Sequence, residues 1–188
     1  MRDEFRPQFR ELAARLRSRI EAMAGLSQAV CHGDAHGSNN FIALDAQGRK
    51  VAAFFDFDDC GPGYRACELA VYPWSLHPRT EDGQPSETAI LRWKQFLKAY
   101  CGVRPLSAAD LKAVPALIAA RQFWLMGEYA GRVPVWGSQA MPTSWLRKQV
   151  KMLNAWEGME LPHDNAEPIR ADANALSLAA VGAAAALE

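Results

Sequence analysis

The first 24 residues carry a regular apolar pattern. Apolar side chains recur at intervals of three or four positions, at Phe5, Phe9, Leu12, Leu16, Ile20 and Met23. This spacing places them on one face of an amphipathic helix, opposite a face rich in arginine. The pattern predicts a helix over residues 3–24, which Gly25 would end.

Three short apolar runs follow, and their length is typical of strands rather than helices. QAVC (28–31) predicts one strand, and FIALD (41–45) and KVAAFFDF (50–57) predict two more. The segment AQGR between the last two has turn composition. These two runs therefore predict a small β-hairpin.

The chain beyond Gly63 has helical periodicity. The predicted helices cover 64–76, 86–100, a segment from Ser107 toward Tyr129, and a segment from Thr143 to Trp156. Ser107 and Thr143 are expected to be N-caps, and Pro115 is expected to kink the third helix. The fold class predicted is mainly α (α+β), with one small hairpin.

Composition excludes several classes of protein. The 188 residues carry 21 basic and 21 acidic side chains, so no net charge attracts nucleic acid or an acidic membrane surface. No apolar run reaches 18 residues, and the N-terminus lacks the apolar core of a signal peptide. Four cysteines without a C-x-x-C pair favour a reducing cytoplasm. The closing AAALE is typical of a cloning scar and carries no weight for the fold.

The candidate chemistry lies around the hairpin, in HGDAHGSNN (32–40) and FFDFDD (54–59). Asp34 and Asn39 have the Asp-to-Asn interval of the kinase catalytic loop H-R-D-x-x-x-x-N. Such an Asp orients an acceptor hydroxyl and takes its proton, and the Asn offers a neutral oxygen to Mg²⁺. The hairpin would return Asp56, 22 positions after Asp34, to the same end as Asn39.

Other interpretations of the same residues stay open at this point. The pattern H-x-D-x-H at His32, Asp34 and His36, with Asp56, could form a metal-hydrolase site. The domain could instead be a non-catalytic binding or oligomerisation module. Asp58 and Asp59 could cap the turn that follows them, and Cys31 or Cys60 is a weaker candidate nucleophile.

The segments HGDAHGSNNF, FFDFDDCGPGYRACELA and FWLMGEYAGRVPVWG resemble the aminoglycoside phosphotransferase and choline kinase superfamily. The resemblance runs from Val30 to Trp156 and is greatest to the bacterial branch with stress-response kinase A and homoserine-kinase-like proteins. It implies a protein-kinase-like fold and transfer of the γ-phosphate of ATP, with Mg²⁺, to an acceptor hydroxyl. It also implies that Asp34 is the catalytic base and that Asn39 and Asp56 bind Mg²⁺.

The resemblance further implies four supporting residues, which are His32, His36, Asp58 and Glu68. His32 would brace the loop, His36 would shape the acceptor site or pack, and Asp58 would approach the metal through water. Glu68 stands where the family usually has an aspartate that braces the catalytic loop from below. Glu68 is one methylene longer than that aspartate.

The same resemblance suggests the domain organisation. Residues 1–158 would form the C-terminal lobe, with a leading helix (1–26), the catalytic loop and metal hairpin (30–63) and a helical subdomain (64–158). Residues 159–188 would be a tail. No glycine-rich loop or lysine-bearing strand precedes the motif, and Lys50 lies on the wrong side of it. We therefore expect a missing N-terminal lobe, little turnover by this chain alone, and self-association through the exposed surface.

Overall fold

The computed structural model describes residues 3–77, 83–137, 139 and 141–163. A 3-10 turn (Asp3–Phe5) leads into helix α1 (Arg6–Glu21). Four short strands follow: β1 (Gln28–Cys31), β2 (Asn40–Leu44), β3 (Lys50–Phe54) and β4 (Gly61–Tyr64). The remaining helices are α2 (Arg65–Leu76), α3 (Glu87–Val103), α4 (Ala108–Trp136) and α5 (Thr143–Glu157).

The predicted hairpin is present, with shorter strands than expected. Strands β2 and β3 pair antiparallel from Asn40↔Phe54 to Leu44↔Lys50. Asp45 belongs to the turn rather than to β2, because its carboxylate accepts the backbone N–H groups of Gln47 and Arg49. Strand β3 ends at Phe54, so residues 55–57 lie beyond the ladder, at the open end of the hairpin.

A second two-stranded sheet was not predicted. Strand β4 pairs antiparallel with β1, from Gln28↔Tyr64 to Cys31↔Gly61. Its sequence, GPGY, has the composition of a turn, and Pro62 lacks the N–H that a central strand needs. The strand forms because a two-stranded sheet has only edge positions, where a proline is tolerated. This sheet fixes both ends of the segment that carries the candidate chemistry.

The helices largely follow the predictions, with two corrections at their ends. Ser107 caps α4 as expected, in a capping box with Asp110. Helix α4 then runs through Pro115 and continues to Trp136, seven residues past the predicted end at Tyr129. Thr143 is the first residue of α5 and not its cap, because Pro142 occupies the cap position.

The core lies between the helices, with α2 packed along α4 and with α1 and α5 beside α4. Its largest buried side chains include Leu69, Trp93, Ile118 and Trp156. Met159 and Leu161 also belong to this core, so the packed chain extends beyond residue 158. The rest of the predicted tail, residues 164–188, lies outside the described residues. Within the described part of the chain, no helix is long and apolar enough to span a membrane.

His77, at the end of α2, is buried in this core. Its Nδ1–H donates to the Pro73 carbonyl at 2.5 Å, and its ring meets the Trp156 ring edge-on at a centroid distance of 5.7 Å. Burial lowers the pKa of His77 below the ordinary histidine value, and the hydrogen bond to Pro73 opposes this only in part. Burial therefore disfavours the protonated imidazolium form of His77 in the folded protein.

We expect His77 to make the protein less stable as the pH falls. The unfolded chain takes up a proton near pH 6.5, whereas the folded chain does so only at lower pH. Between pH 6.5 and 5.5 the unfolded histidine goes from about half to about nine-tenths protonated, so this difference costs up to about 1 kcal/mol. Urea unfolding at both pH values measures it. His77→Asn, which keeps a donor near Nδ1, should remove this part of the slope, whereas the exposed-histidine control His163→Asn should keep it. An unchanged slope in His77→Asn would contradict the assignment.

Candidate active site

The loop between β1 and β2 is held in place at Gly33. The Gly33 N–H donates to Oε2 of Glu68 on α2 at 2.9 Å, and its carbonyl accepts from Nη1 of Arg121 on α4 at 3.3 Å. Its φ of +84° favours glycine, and a Cβ here would lie 2.4 Å from the Asp59 carbonyl oxygen. The loop is therefore fixed by two helices and by the segment that follows β3.

Asp34, the next residue, has a partner on each side of its carboxylate. Oδ1 accepts from Nη2 of Arg121. Oδ2 lies 3.3 Å from Nδ2 of Asn39 and 3.5 Å from Nε2 of His36. The Asp34 side chain is 19% exposed, so it is partly shielded from water but still reachable. Its environment suits a carboxylate that must keep one orientation.

Asn39 is buried, and its hydrogen bonds identify which atom is left for a cation. Nδ2 donates to both the backbone oxygen and Oδ2 of Asp34, at 3.0 and 3.3 Å. Because both partners are acceptors, the amide orientation is unambiguous. Among the described residues, Oδ1 of Asn39 has no hydrogen-bond donor, so a neutral oxygen remains available, as a hard cation prefers.

The hairpin brings Asp56 to the same end as Asn39. The Phe55 N–H donates to the Asn39 carbonyl at 3.2 Å, one step beyond the β2–β3 ladder. Asp56 follows directly, is exposed, and has a left-handed φ of 62°, which is uncommon for a residue other than glycine. Asp58 is also exposed, and it makes no hydrogen bond or ion pair to other described residues.

The two histidines of the loop use their ring nitrogens within the protein. Nδ1 of His32 accepts the Asp34 N–H at 3.3 Å, while its Nε2 lies 2.9 Å from the Phe55 carbonyl. Nδ1 of His36 accepts the Ser38 N–H at 3.1 Å, and its Nε2 faces Asp34. Neither ring presents a free lone pair to a metal.

This geometry weighs against the metal-hydrolase alternative and against Cys31 as a nucleophile. Across the described residues, no group of three or more His, Cys, Asp or Glu side chains is arranged to hold a metal. The H-x-D-x-H pattern therefore does not form the site that a metal hydrolase needs. Burial raises the pKa of the Cys31 thiol, which disfavours the thiolate that a nucleophile requires.

Arg121 belongs to the candidate site, and the sequence did not lead us to predict it. Its side chain is 11% exposed, and its guanidinium carbon lies 3.9 Å from the ring centroid of Trp124. Burial lowers the pKa of Arg121, and the Asp34 and Asp59 carboxylates oppose that shift. The signal was a single charge within the apolar run VPALIAARQFWLM (114–126), where a buried arginine needs an acidic partner.

Replacement of Gly33 should disturb the loop more than replacement of a glycine with the same backbone angle. Gly48 in the hairpin turn has a φ of +74°, and a Cβ there meets nothing within 4 Å. Gly48→Ala should cost about 1–2 kcal/mol for the backbone conformation alone. Gly33→Ala adds overlap with the Asp59 backbone and should cost about 2–5 kcal/mol in urea unfolding. Equal costs would show that the loop does not pack against Asp59 as described.

Comparisons with known proteins identify the family and the fold. A family model described as "APH: Phosphotransferase enzyme family" matches residues 2–106. An uncharacterized protein of Deinococcus radiodurans is 40% identical over 146 residues, which cover 77% of this chain and 41% of that protein.

A solved structure, amicoumacin kinase hAmiN in complex with AMP-PNP, Ca²⁺ and Ami, has a TM-score of 0.60 and 16% sequence identity. The match covers 88% of this chain and 48% of the kinase, so the chain spans less than half of either relative. The predicted fold class, mainly helical and protein-kinase-like with a small β-hairpin, is confirmed, and the β1–β4 sheet adds to it. The chain belongs to the APH phosphotransferase enzyme family.

Proposed function

We propose that this chain carries the catalytic loop and metal-binding hairpin of an ATP-dependent phosphotransferase. The observation that supports this most is the pairing of Asp34 with Asn39. The two side chains are hydrogen-bonded to each other, and Oδ1 of Asn39 is left without a donor among the described residues. A proton acceptor and a neutral metal ligand thus lie side by side, as phosphoryl transfer to a hydroxyl requires.

In this proposal Asp34 receives the acceptor hydroxyl and takes its proton. The acceptor oxygen forms a bond to the γ-phosphorus of ATP, the bond from that phosphorus to the bridging oxygen breaks, and ADP leaves. Asn39 and Asp56 would hold Mg²⁺, which when bound supplies positive charge to the phosphate oxygens. His32 keeps the loop closed on Phe55, and Glu68 braces it through the Gly33 N–H. Asp58 would approach the metal through water.

The acceptor is defined here only as a molecule with a hydroxyl group. The structural likeness to the amicoumacin kinase, at 16% identity, supports the fold and does not extend to the acceptor. Balanced charge over the chain gives no reason to favour a polycationic acceptor. A panel of aminoglycoside, choline, homoserine, a Ser/Thr peptide and water covers the hydroxyl classes that the reaction admits.

We also propose that the hairpin face meets a further lobe that covers ATP. The apolar side chains of this face are unusually exposed, namely Ile42 (65%), Leu44 (68%) and Phe54 (47%). Phe41 (55%) is exposed on the opposite face, and Phe57 (55%) is exposed just beyond β3. Such a patch is typical of a surface that contacts another body. Both relatives have more than twice the matched length, which leaves room for that lobe. Without it, this face would favour self-association, the basis of the non-catalytic alternative.

Asp34→Asn should abolish most phosphoryl transfer and leave nucleotide binding intact. The substitution keeps an oxygen for Arg121 but removes the proton acceptor, so we expect kcat to fall about 10²- to 10⁴-fold. ADP formation with the acceptor panel measures turnover, and AMP-PNP titration measures binding, in the complete gene product and in this chain alone. Asp45→Asn, at the opposite end of the hairpin, is the matched control. Turnover in Asp34→Asn equal to that of the control would rule out the proposed role.

Asn39→Ala should raise the Mg²⁺ concentration needed for half-maximal turnover about tenfold or more, because it removes a side-chain oxygen that would bind the metal. The adjacent Asn40→Ala is the control, since its Nδ2 is engaged with the His36 carbonyl at 2.7 Å. The Mg²⁺ concentration that gives half-maximal turnover, together with Mn²⁺ binding followed by electron paramagnetic resonance, separates the two asparagines. The same Mg²⁺ midpoint for both variants would remove Asn39 from the metal site.

A further inference from the structure

We propose that Arg121 is a positioning residue for the phosphoryl transfer proposed above. It holds the Asp34 carboxylate by Oδ1 so that Oδ2 is turned toward the acceptor hydroxyl. The inference rests on the proposed function, because it assigns Arg121 a role only through Asp34. It concerns a residue of α4 that lies 87 positions away in sequence from the loop that it orients.

The first support is the double contact with successive loop residues. Nη2 of Arg121 donates to Oδ1 of Asp34, and Nη1 lies 3.3 Å from the Gly33 carbonyl. One contact fixes the side chain of Asp34, and the other fixes the peptide that precedes it. A planar guanidinium can make both contacts at once, whereas the single ammonium group of lysine cannot span them in the same way.

The second support is that the guanidinium itself is held in one place. It lies 3.9 Å from the ring centroid of Trp124 and 5.3 Å from that of Trp74. The Trp74 ring is fixed in turn, because its Nε1–H donates to Oε1 of the buried Gln122 at 2.9 Å. Gln122 donates onward to Gln149 of α5 at 2.7 Å. A chain of buried contacts thus connects the helical core to Asp34.

The third support is that the two carboxylate oxygens of Asp34 have different partners. Oδ1 is engaged by a side chain that stays positively charged. Oδ2 faces Nδ2 of Asn39 and Nε2 of His36 at longer distances of 3.3 and 3.5 Å. Oδ2 is therefore the oxygen that an acceptor hydroxyl can reach. If Arg121 were absent, only the longer contacts to Asn39 and His36 would be left to orient the carboxylate.

A purely structural ion pair is a weaker explanation of the same contacts. Buried ion pairs seldom stabilise a fold more than apolar residues of similar size, because both charges lose their hydration. Nε of Arg121 is also buried without a hydrogen-bond partner, which adds to the cost. An arrangement that costs stability and orients a functional carboxylate is what a positioning residue predicts.

The test compares Arg121→Lys and Arg121→Met with Arg65→Lys in the complete gene product. Arg65 is a matched control because its Nε is also buried without a partner, while its Nη1 donates to the Pro105 carbonyl, which is not part of the loop. Turnover is measured as ADP formation with the most active acceptor of the panel, or with water if no other acceptor is used. Circular dichroism verifies that each variant is folded, and Arg121→Lys, which keeps the buried charge, decides the question if Arg121→Met does not fold.

We expect kcat to fall about tenfold in Arg121→Lys and about 100-fold in Arg121→Met, with KM for ATP changed less than threefold. Arg65→Lys should keep kcat within twofold. A kcat within twofold of wild type in folded Arg121→Lys, or an equal loss in Arg65→Lys, would overturn the positioning role while the proposed function stands. No ADP formation by the wild-type protein with any acceptor would overturn both.

Discussion

The arrangement of the candidate site depends on one buried positive charge, the guanidinium of Arg121. A charged group that is 11% exposed must find an opposite charge, because it has lost most of its water. Asp34 supplies that charge by direct contact, and the nearby Asp59 and Glu68 carboxylates add to it. Movement of the loop away from α4 would leave the guanidinium uncompensated. The position of the chemically important loop is therefore determined by the packed helical core.

Backbone contacts hold the loop in place in addition to the ion pair between Arg121 and Asp34. Gly33 allows the loop to approach the Asp59 backbone, and its N–H and carbonyl join Glu68 on α2 to Arg121 on α4. The Phe55 N–H extends the β2–β3 pairing by one hydrogen bond to the Asn39 carbonyl, so Asp56 follows at the same end of the hairpin as Asn39. These contacts hold the backbone in place, while Arg121 and Asn39 hold the side chain of Asp34. Groups held in one geometry before substrate binds are what phosphoryl transfer requires.

The sequence correctly predicted the elements that depend only on residues close together in the chain. The helical periodicity of α1, the capping box at Ser107 and the hairpin register are all determined by residues a few positions apart. Strand β4 was missed because GPGY has turn composition and because its partner strand β1 lies far away in sequence, 32 positions in the pair Val30↔Pro62. Arg121 was missed for the same reason: its partner lies 87 positions away, and no local pattern encodes that contact. The Asp-to-Asn interval could be recognised in the sequence, whereas the hydrogen bonds that engage Nδ2 of Asn39 and leave Oδ1 without a donor among the described residues are seen only in the structure.

The central claim is that Asn39 and Asp56 hold a metal beside ATP while Arg121 keeps Asp34 oriented toward the acceptor. A crystal structure of the complete gene product with Mn²⁺ and AMP-PNP tests it most directly, because the anomalous signal of manganese locates the ion without ambiguity. We expect the ion to be bonded to Oδ1 of Asn39 and the Asp56 carboxylate, with Asp34 still paired to Arg121. A manganese ion bound at His32 or His36, or an Asp34 side chain turned away from Arg121, would contradict the account.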